Sequence, residues 1–375
     1  MFTHKQRLTR QAFLQDIDAI PSIGGWMHSA RNLATIAGIT EAQYLENPVR
    51  GFISANRALN VDGIVNNPII PNKPDIIRTG SLTEEDYSGH TPEEVLADAE
   101  KIPDDPKEIL KNFNIEKVRG EYRDFFIRER ERNGEIEPVP NFWEFGGPFP
   151  LYWKYGYIAF FEACALYPEA VGKIWWSRCL EARERAKAFA PLYKELDLVP
   201  LMFCGEDICN NSGPMVSPEM IRKHYFPHVK MITEPFVEAG VRMIYHCDGD
   251  VNPFPQDFLD LGFSGFQGFQ YECGIDVYEL RKLKPTLGEV PLIFGGLSVA
   301  RTLPWGTPDD VRREVDYLVD ATDGGRGLFL FTSNVTGYEV PAENIIAGYR
   351  HVKTRRWGEA VPASRIPRWP IVEPH

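Results

Sequence analysis

The 375-residue sequence has only six cysteines (Cys164, Cys179, Cys204, Cys209, Cys247 and Cys273) and no C-x-x-C pair. That is too few and too scattered for a disulfide framework or a zinc ribbon, so reduced thiols are expected. No apolar run approaches the ~20 residues of a membrane span. The first residues, MFTHKQRLTRQAFLQDIDAIP, lack a signal peptide's continuous apolar stretch. A soluble, cytoplasmic protein is expected. Positive charge is also short: 41 Lys and Arg face 53 Asp and Glu, a net charge of −12 with no local basic patch. This argues against nucleic acid or a membrane surface as partner. Walker loops, dinucleotide fingerprints, short repeats and low-complexity tracts are missing too. What is present is a composition of 43% hydrophobic and 12% aromatic residues, enough to bury a sizeable core.

Short apolar runs alternate with stretches of helical period, the pattern of repeated βα units on a parallel sheet. Five such units follow one another in the second half, with strands expected at Val199–Phe203, Arg242–His246, Gly265–Phe269, Leu292–Gly295 and Gly327–Phe331. Between them, Ser217-Pro218-Glu219 opens a helix to about Ala239, Pro255–Leu261 and Val277–Lys284 read as helices, and Thr307-Pro308-Asp309-Asp310 has capping-box spacing. A further helix starts at Pro341. The first half offers strands at Ala19–Ile23, Asp62–Pro68 and Asn141–Phe145. Eight strands in all predict an α/β fold, a closed (β/α)8 TIM barrel with N-terminal helical elaborations. One domain, 1–375, is expected. Residues 71–140 read as a helical insertion or lid between strands 2 and 3. Residues 354–375, with Pro362, Pro367, Pro370 and Pro374, read as a proline-rich tail.

In such a barrel the polar residues just past each strand converge on one mouth. Those residues are Glu206 and Asp207 after the fourth strand, His246 and Asp248 after the fifth, Glu272 and Cys273 after the sixth, and Asn334 after the eighth. His246 and Asp248 are two apart, so on an extended chain both face one side while Cys247 faces the other. Such a pair suits two ligands of one metal, or an imidazole and a carboxylate acting as acid and base. A plainer reading has His246 bonding a loop and Asp248 capping the turn at Gly249. Adjacent Glu206 and Asp207 raise each other's proton affinity, so one can stay protonated as a general acid. Trp26, Asn67, Asn141 and Trp143 offer flat apolar walls and amides for an organic substrate, or simply pack the mouth. His224 and His228 share a helical face without a zincin glutamate, and Gly295-Gly296 reads as a tight turn or a weak phosphate-binding signal.

The stretch GEDICNNSGPMVSPEMIRKHYFPHVKMITEPFVEAGVRMIYHCDGDV resembles the uroporphyrinogen decarboxylase superfamily, in its Gly-Glu-Asp loop, its Gly-Pro-x-x-Ser-Pro helix start and its His-x-Asp-Gly strand end. GGLSVARTL with TPDDVRREV, and SNVTGYEVPAENIIAGY, are similar to its closing units. The resemblance covers most of Leu198 to Arg350 and implies a (β/α)8 barrel. It also implies one of two chemistries: decarboxylation without a cofactor, or methyl transfer with a corrinoid. The segment PSIGGWMHSARNLATIAG has Arg31 alone where uroporphyrinogen decarboxylase proper is rich in arginine, which disfavours a polycarboxylate tetrapyrrole. Where thiol-activating relatives place a metal-binding cysteine, this chain has Asp248, and no cysteine follows Cys273. The resemblance then implies a zinc held by Glu206, His246 and Asp248 or Glu272, with Glu206, Asp207, His246 and Asp248 as catalytic residues. Trp26, Asn67, Asn141, Trp143, Glu272 and Asn334 would bind substrate. An oxygen-rich site suits O-demethylation of a small methylated, methoxy-aromatic donor. The corrinoid would come on a partner protein, since no Asp-x-His-x-x-Gly segment is present. A decarboxylase or lyase of a small organic acid is the alternative, and a homodimer is left open.

Overall fold

The structure, a computed structural model, describes residues 1–75 and 89–367. Its strands are β1 Ile23–Gly24, β2 Gly63–Val65, β3 Glu137–Val139, β4 Leu201–Gly205, β5 Cys209–Asn210, β6 Gly213–Pro214, β7 Arg242–His246, β8 Gly265–Gln267, β9 Leu292–Leu297 and β10 Leu328–Thr332, the longer ones at apolar runs rich in Ile, Phe and Leu. The fold is α/β with parallel sheets. One sheet runs β1-β2-β3 and the other β10-β9-β8-β7-β4, every pairing within them parallel, while β5 and β6 form a small antiparallel hairpin.

The expected uninterrupted cylinder is replaced by these two sheets. Their edges meet through isolated parallel bridges, Ser22 with Leu330, Met27 with Thr336 and Asn141 with Phe203. Proline supplies the physical reason at both junctions. The Pro21 carbonyl accepts from Leu330 N at 2.9 Å and the Pro140 carbonyl accepts from Phe203 N at 2.7 Å, but a proline has no N–H to return, so neither ladder propagates.

Side-chain alternation decides what faces the interior. Ile23, Trp26, Val65, Val139, Leu201, Phe203, Ile244, Leu292, Phe294, Phe329 and Phe331 form one inner cluster, while Met202, Cys204, Met243, Tyr245, Cys247, Leu328 and Leu330 pack outward against the helices. His246 has the parity of Ile244 and so continues the inner row to the strand ends.

Several boundaries differ from the sequence reading. The third strand is Glu137–Val139, inside the segment read as an insertion, and residues 141–145 hold a single bridge followed by a 3-10 turn at Trp143–Phe145. Their apolar residues answer to helix packing instead: Phe142 lies against Tyr122, Phe126 and Phe189. Helices Pro92–Glu100, Pro106–Ile109 and Ile115–Asn133 precede β3. The helix expected from Ser217 to Ala239 is two, Pro218–His224 and Phe226–Glu238, because Pro227 cannot donate into a continuous ladder. Gly295 and Gly296 lie within β9 instead of making a turn. In the tail, Arg365 binds Asp316 at 2.9 Å; Pro370 and Pro374 lie outside the described residues. No helix among the described residues is long and apolar enough to cross a membrane.

Near the first residues of β2, fully buried Asp62 is held by His4 Nδ1 at 3.0 Å, by Arg7, by Lys353 and by Ser22 N at 3.0 Å. It thereby ties the N-terminal helix His4–Ala12 and the helix Ala342–Val352 to the start of the three-stranded sheet. Burial alone would raise its pKa. The Lys353 ammonium, the His4 bond and Arg7 outweigh that and hold the carboxyl well below its usual range. Asp62→Asn is expected to lower stability by about 3–5 kcal/mol at neutral pH, read as a shift in the urea midpoint. Because the folded-state pKa is depressed, the stabilisation is present above the ordinary carboxylate pKa of ~3.9 and fades as pH falls below it. The difference between variant and wild type should therefore shrink on acidification below about pH 4.

Candidate active site

The end of β7 places His246 in register with Gln267 at the end of β8, and this pairing sets the imidazole. His246 is 3% exposed, and its Nδ1 bonds Gln267 Oε1. The Gln267 amide cannot turn over, because its Nε2 donates to the carbonyls of Thr332 at 2.8 Å and Ser333 at 3.1 Å. An oxygen therefore faces Nδ1, Nδ1 carries the hydrogen and donates it, and Nε2 presents a lone pair. Gly268 makes room for the ring: its φ is +87°, and a Cβ there would lie 2.7 Å from His246 Nδ1.

The lone pair faces two acids. Asp207 Oδ1 is 3.5 Å and Asp248 Oδ1 3.6 Å from Nε2, and one ligand atom from each of the three residues lies within 4.8 Å of the others. Loop hydrogen bonds lock both carboxylates. Asp248 N donates to Asp207 Oδ1 at 2.8 Å, and Asn334 Nδ2 donates to Asp248 Oδ2. Gly249, at φ +84°, turns the chain where a Cβ would strike the Asn210 carbonyl at 2.4 Å, and its N–H donates to Gln270 Oε1 at 3.0 Å. Asp248 Oδ1 is left buried without a hydrogen-bond partner. Burial pushes the Asp248 carboxyl up to about 6; Asp207 adds to the rise, while His246 and Asn334 oppose it.

Glu206 is not in this triad; Asp207 stands where the sequence reading placed Glu206. Burial, with Asp207 next to it, pushes the Glu206 carboxyl up to about 8, so it holds a proton at neutral pH. Tyr152, Tyr225 and Tyr245 are its electrostatic neighbours.

Two tryptophans cover the imidazole edge-on. Trp26 lies 5.5 Å from the His246 ring at 80° and Trp143 5.3 Å at 85°, and the two indoles stack at 6.2 Å and 15°. Trp26 is buried, but Trp143 is 41% exposed and gives the mouth an apolar, accessible rim. The remaining expected residues divide. Asn141 is buried, its backbone joined to the side chain of Asn66, and Asn141 Nδ2 donates to the Asn66 carbonyl at 3.4 Å, so it braces strand ends. Asn67 is exposed in a left-handed conformation. Glu272 accepts from Ser298 and sits within electrostatic reach of Asp248. Asn334 orients Asp248. The Cys273 thiol is pushed up by burial and by Glu272, Asp250 and Asp248, which disfavours a thiolate ligand, and Cys247 packs in the outer core. A cavity of about 690 Å³, lined by His28, Lys73, Tyr338 and Glu339 among others, includes none of the triad residues.

Gln267 and Asn66 escaped the sequence reading. A glutamine at the last position of an apolar strand, in register with a candidate histidine, was the available signal for Gln267.

Residues 205–355 match the family model described as uroporphyrinogen decarboxylase (URO-D). That region supplies Asp207, His246, Gln267, Asp248, Glu272 and Asn334, so the candidate acids and the imidazole with its brace all lie within it. Among solved structures, the whole chain is similar to a methyltransferase from Methanosarcina mazei, with a TM-score of 0.60 and 17% identity over 94% of this chain and 99% of that one. At that identity the likeness is one of fold. No curated protein matches the chain by sequence.

Gln267→Leu keeps the side-chain volume but removes the acceptor that fixes the imidazole. Zinc affinity, measured by competition with a chromophoric chelator, is expected to fall about 10–100-fold, with nitrogen NMR of the His246 ring showing both tautomers. Unchanged affinity and a single tautomer would mean that Gln267 does not set the ring.

Proposed function

We propose that this chain is a methyltransferase that takes a methyl group from a small methylated compound, best matched by a methoxy-aromatic, and delivers it to a corrinoid on a partner protein. The observation that carries the reading is the His246 lone pair, aimed between Asp207 and Asp248 beneath a pair of stacked indoles. The M. mazei methyltransferase with the same fold and the URO-D match support it. We also infer that the two sheets are one (β/α)8 barrel interrupted at its proline junctions. The bridges at both edges and the near-complete overlap with that neighbour favour this.

The donor set fits a divalent ion. One imidazole nitrogen and two carboxylates converge, and the Asp248 oxygen nearest His246 has no other partner; Asp207, His246 and Asp248 would hold it. A bound zinc would supply Lewis-acid polarisation of a substrate oxygen. The protein's own residues do the rest. Trp26 and Trp143 orient an aromatic ring and exclude water from the imidazole. Gln267 and Asn334 hold His246 and Asp248 at fixed angles. Glu206 keeps a proton for the departing oxygen: its O–H bond breaks, the phenol O–H forms, and the methyl group passes to the acceptor.

A carboxy-lyase acting on a small acid is the second reading, favoured by the family description. It needs a cationic anchor for the substrate. Among the described residues the polar contacts of the triad are to Asp207, Asp248, Gln267 and Asn334, none of them cationic.

The test is methyl transfer from a panel of methoxy-aromatics to free cob(I)alamin, followed by its absorbance, with metal analysis of the same preparations. His246→Ala and Asp248→Ala are expected to lose the bound metal and to slow transfer by about 100-fold or more. Release of carbon dioxide from small carboxylic acids, with no methyl transfer from any ether, would replace this reading with the second one.

A further inference from the structure

Behind the mouth, on the outer side of β9 and β10, two carboxyl groups meet at one serine. Ser298 Oγ donates to Glu272 Oε1, and Ser298 N donates to Glu314 Oε1 at 3.1 Å. The serine is itself held by Arg301 N, which donates to Ser298 Oγ at 3.1 Å. Glu314 lies on the helix Pro308–Ala321 and is fully buried. The second oxygen of each acid, Glu272 Oε2 and Glu314 Oε2, is buried with no hydrogen-bond partner. Among the described residues neither acid forms an ion pair.

Two carboxylates whose second oxygens are buried and orphaned, and which form no ion pair, are strongly unfavourable when both are ionised. The groups that act on Glu314 are Ser298 N, Glu272, the Thr302 side chain and Tyr271; those near Glu272 include Asp248 and Cys273, where the Arg301 guanidinium also acts, and none of the groups acting on Glu314 is a cation. Ionisable groups on the neighbouring helices are engaged elsewhere, His351 with Asp316 and Tyr278 with Asp320.

We propose that Glu314 holds a proton at neutral pH, with its Oε2–H donating to Glu272 Oε2 directly or across one water, which makes Glu314 a positioning residue for the site. One proton then satisfies both orphan oxygens. The pair carries one negative charge instead of two, and Glu272 is fixed beside Asp248. Burial pushes the Glu314 carboxyl well above the usual range, with Ser298 N opposing and Glu272 adding to it. The positioning role rests on the methyl-transfer reading; the proton on Glu314 does not.

The infrared difference between wild type and Glu314→Gln at neutral pH tests the proton. A protonated-carboxyl C=O band, shifted in D2O, is expected in wild type and lost in the variant. Stability against pH gives a second readout. The unfolded Glu314 ionises above its ordinary pKa while the folded one stays neutral, so wild type loses stability as pH rises. Above about pH 5, and for as long as the folded carboxyl stays protonated, the stability of Glu314→Gln relative to wild type should grow by about tenfold in the unfolding constant per pH unit. Methyl transfer gives the third: Glu314→Gln, which still donates to Glu272, keeps it within about threefold, whereas Glu314→Leu loses about tenfold. If the leucine variant fails to fold, the glutamine variant decides through its band and its pH slope. No difference band, a pH-independent stability ratio, or a cation held by wild type and lost from Glu314→Gln would overturn the proposal. A band that behaves as expected in a protein transferring no methyl group would keep the proton on Glu314 and sink the function instead.

Discussion

The bond from His246 to Gln267 decides the character of the whole mouth, because it settles which ring nitrogen keeps a hydrogen. With Nδ1 committed to an amide oxygen that two backbone carbonyls hold in place, the opposite nitrogen is an acceptor at every pH where the ring is neutral. Two aspartates opposite an acceptor would otherwise repel it and each other. Their persistence there, one bonded to the other's backbone and one propped by Asn334, makes sense if a cation or a proton completes the cluster.

Protons around the mouth are graded by burial. Glu206, walled by tyrosines, retains its proton up to about 8, whereas the Asp248 carboxyl releases its own near 6. Two carboxyl groups on adjacent strand ends are thereby assigned different states at neutral pH by environment alone, which is the condition for one to donate a proton while the other serves as a ligand.

Much of this was legible in the sequence where one strand follows the next with a helix between. The β7 boundaries, the capping box at Thr307, and the opposite facing of Cys247 against His246 and Asp248 all follow from period and parity. Legibility fails where proline and tertiary packing intervene. Glu137-Pro138-Val139 is a poor strand by composition yet pairs with β2, and the more strand-like residues 141–145 turn instead to meet the helix faces. At the site, two-residue spacing correctly grouped His246 with Asp248, but spacing cannot tell which of two adjacent acids, Glu206 or Asp207, turns inward. Gln267 and Glu314 matter through partners distant in sequence, and no local pattern marks them.

The two tryptophans follow β1 and β3, both strands of the smaller sheet, whereas His246, Asp207, Asp248 and Gln267 all belong to the larger one or its loops. The stacked indoles and the charged side chains are thus mounted on separate frames, whose backbones meet among the described residues through sparse bridges and whose inner faces pack into one apolar cluster. On the proposed reading, substitutions in the smaller frame would reshape the apolar walls of the mouth first and reach the polar machinery through the indoles that rest on His246, a division of labour that lets one scaffold be retailored to new guests.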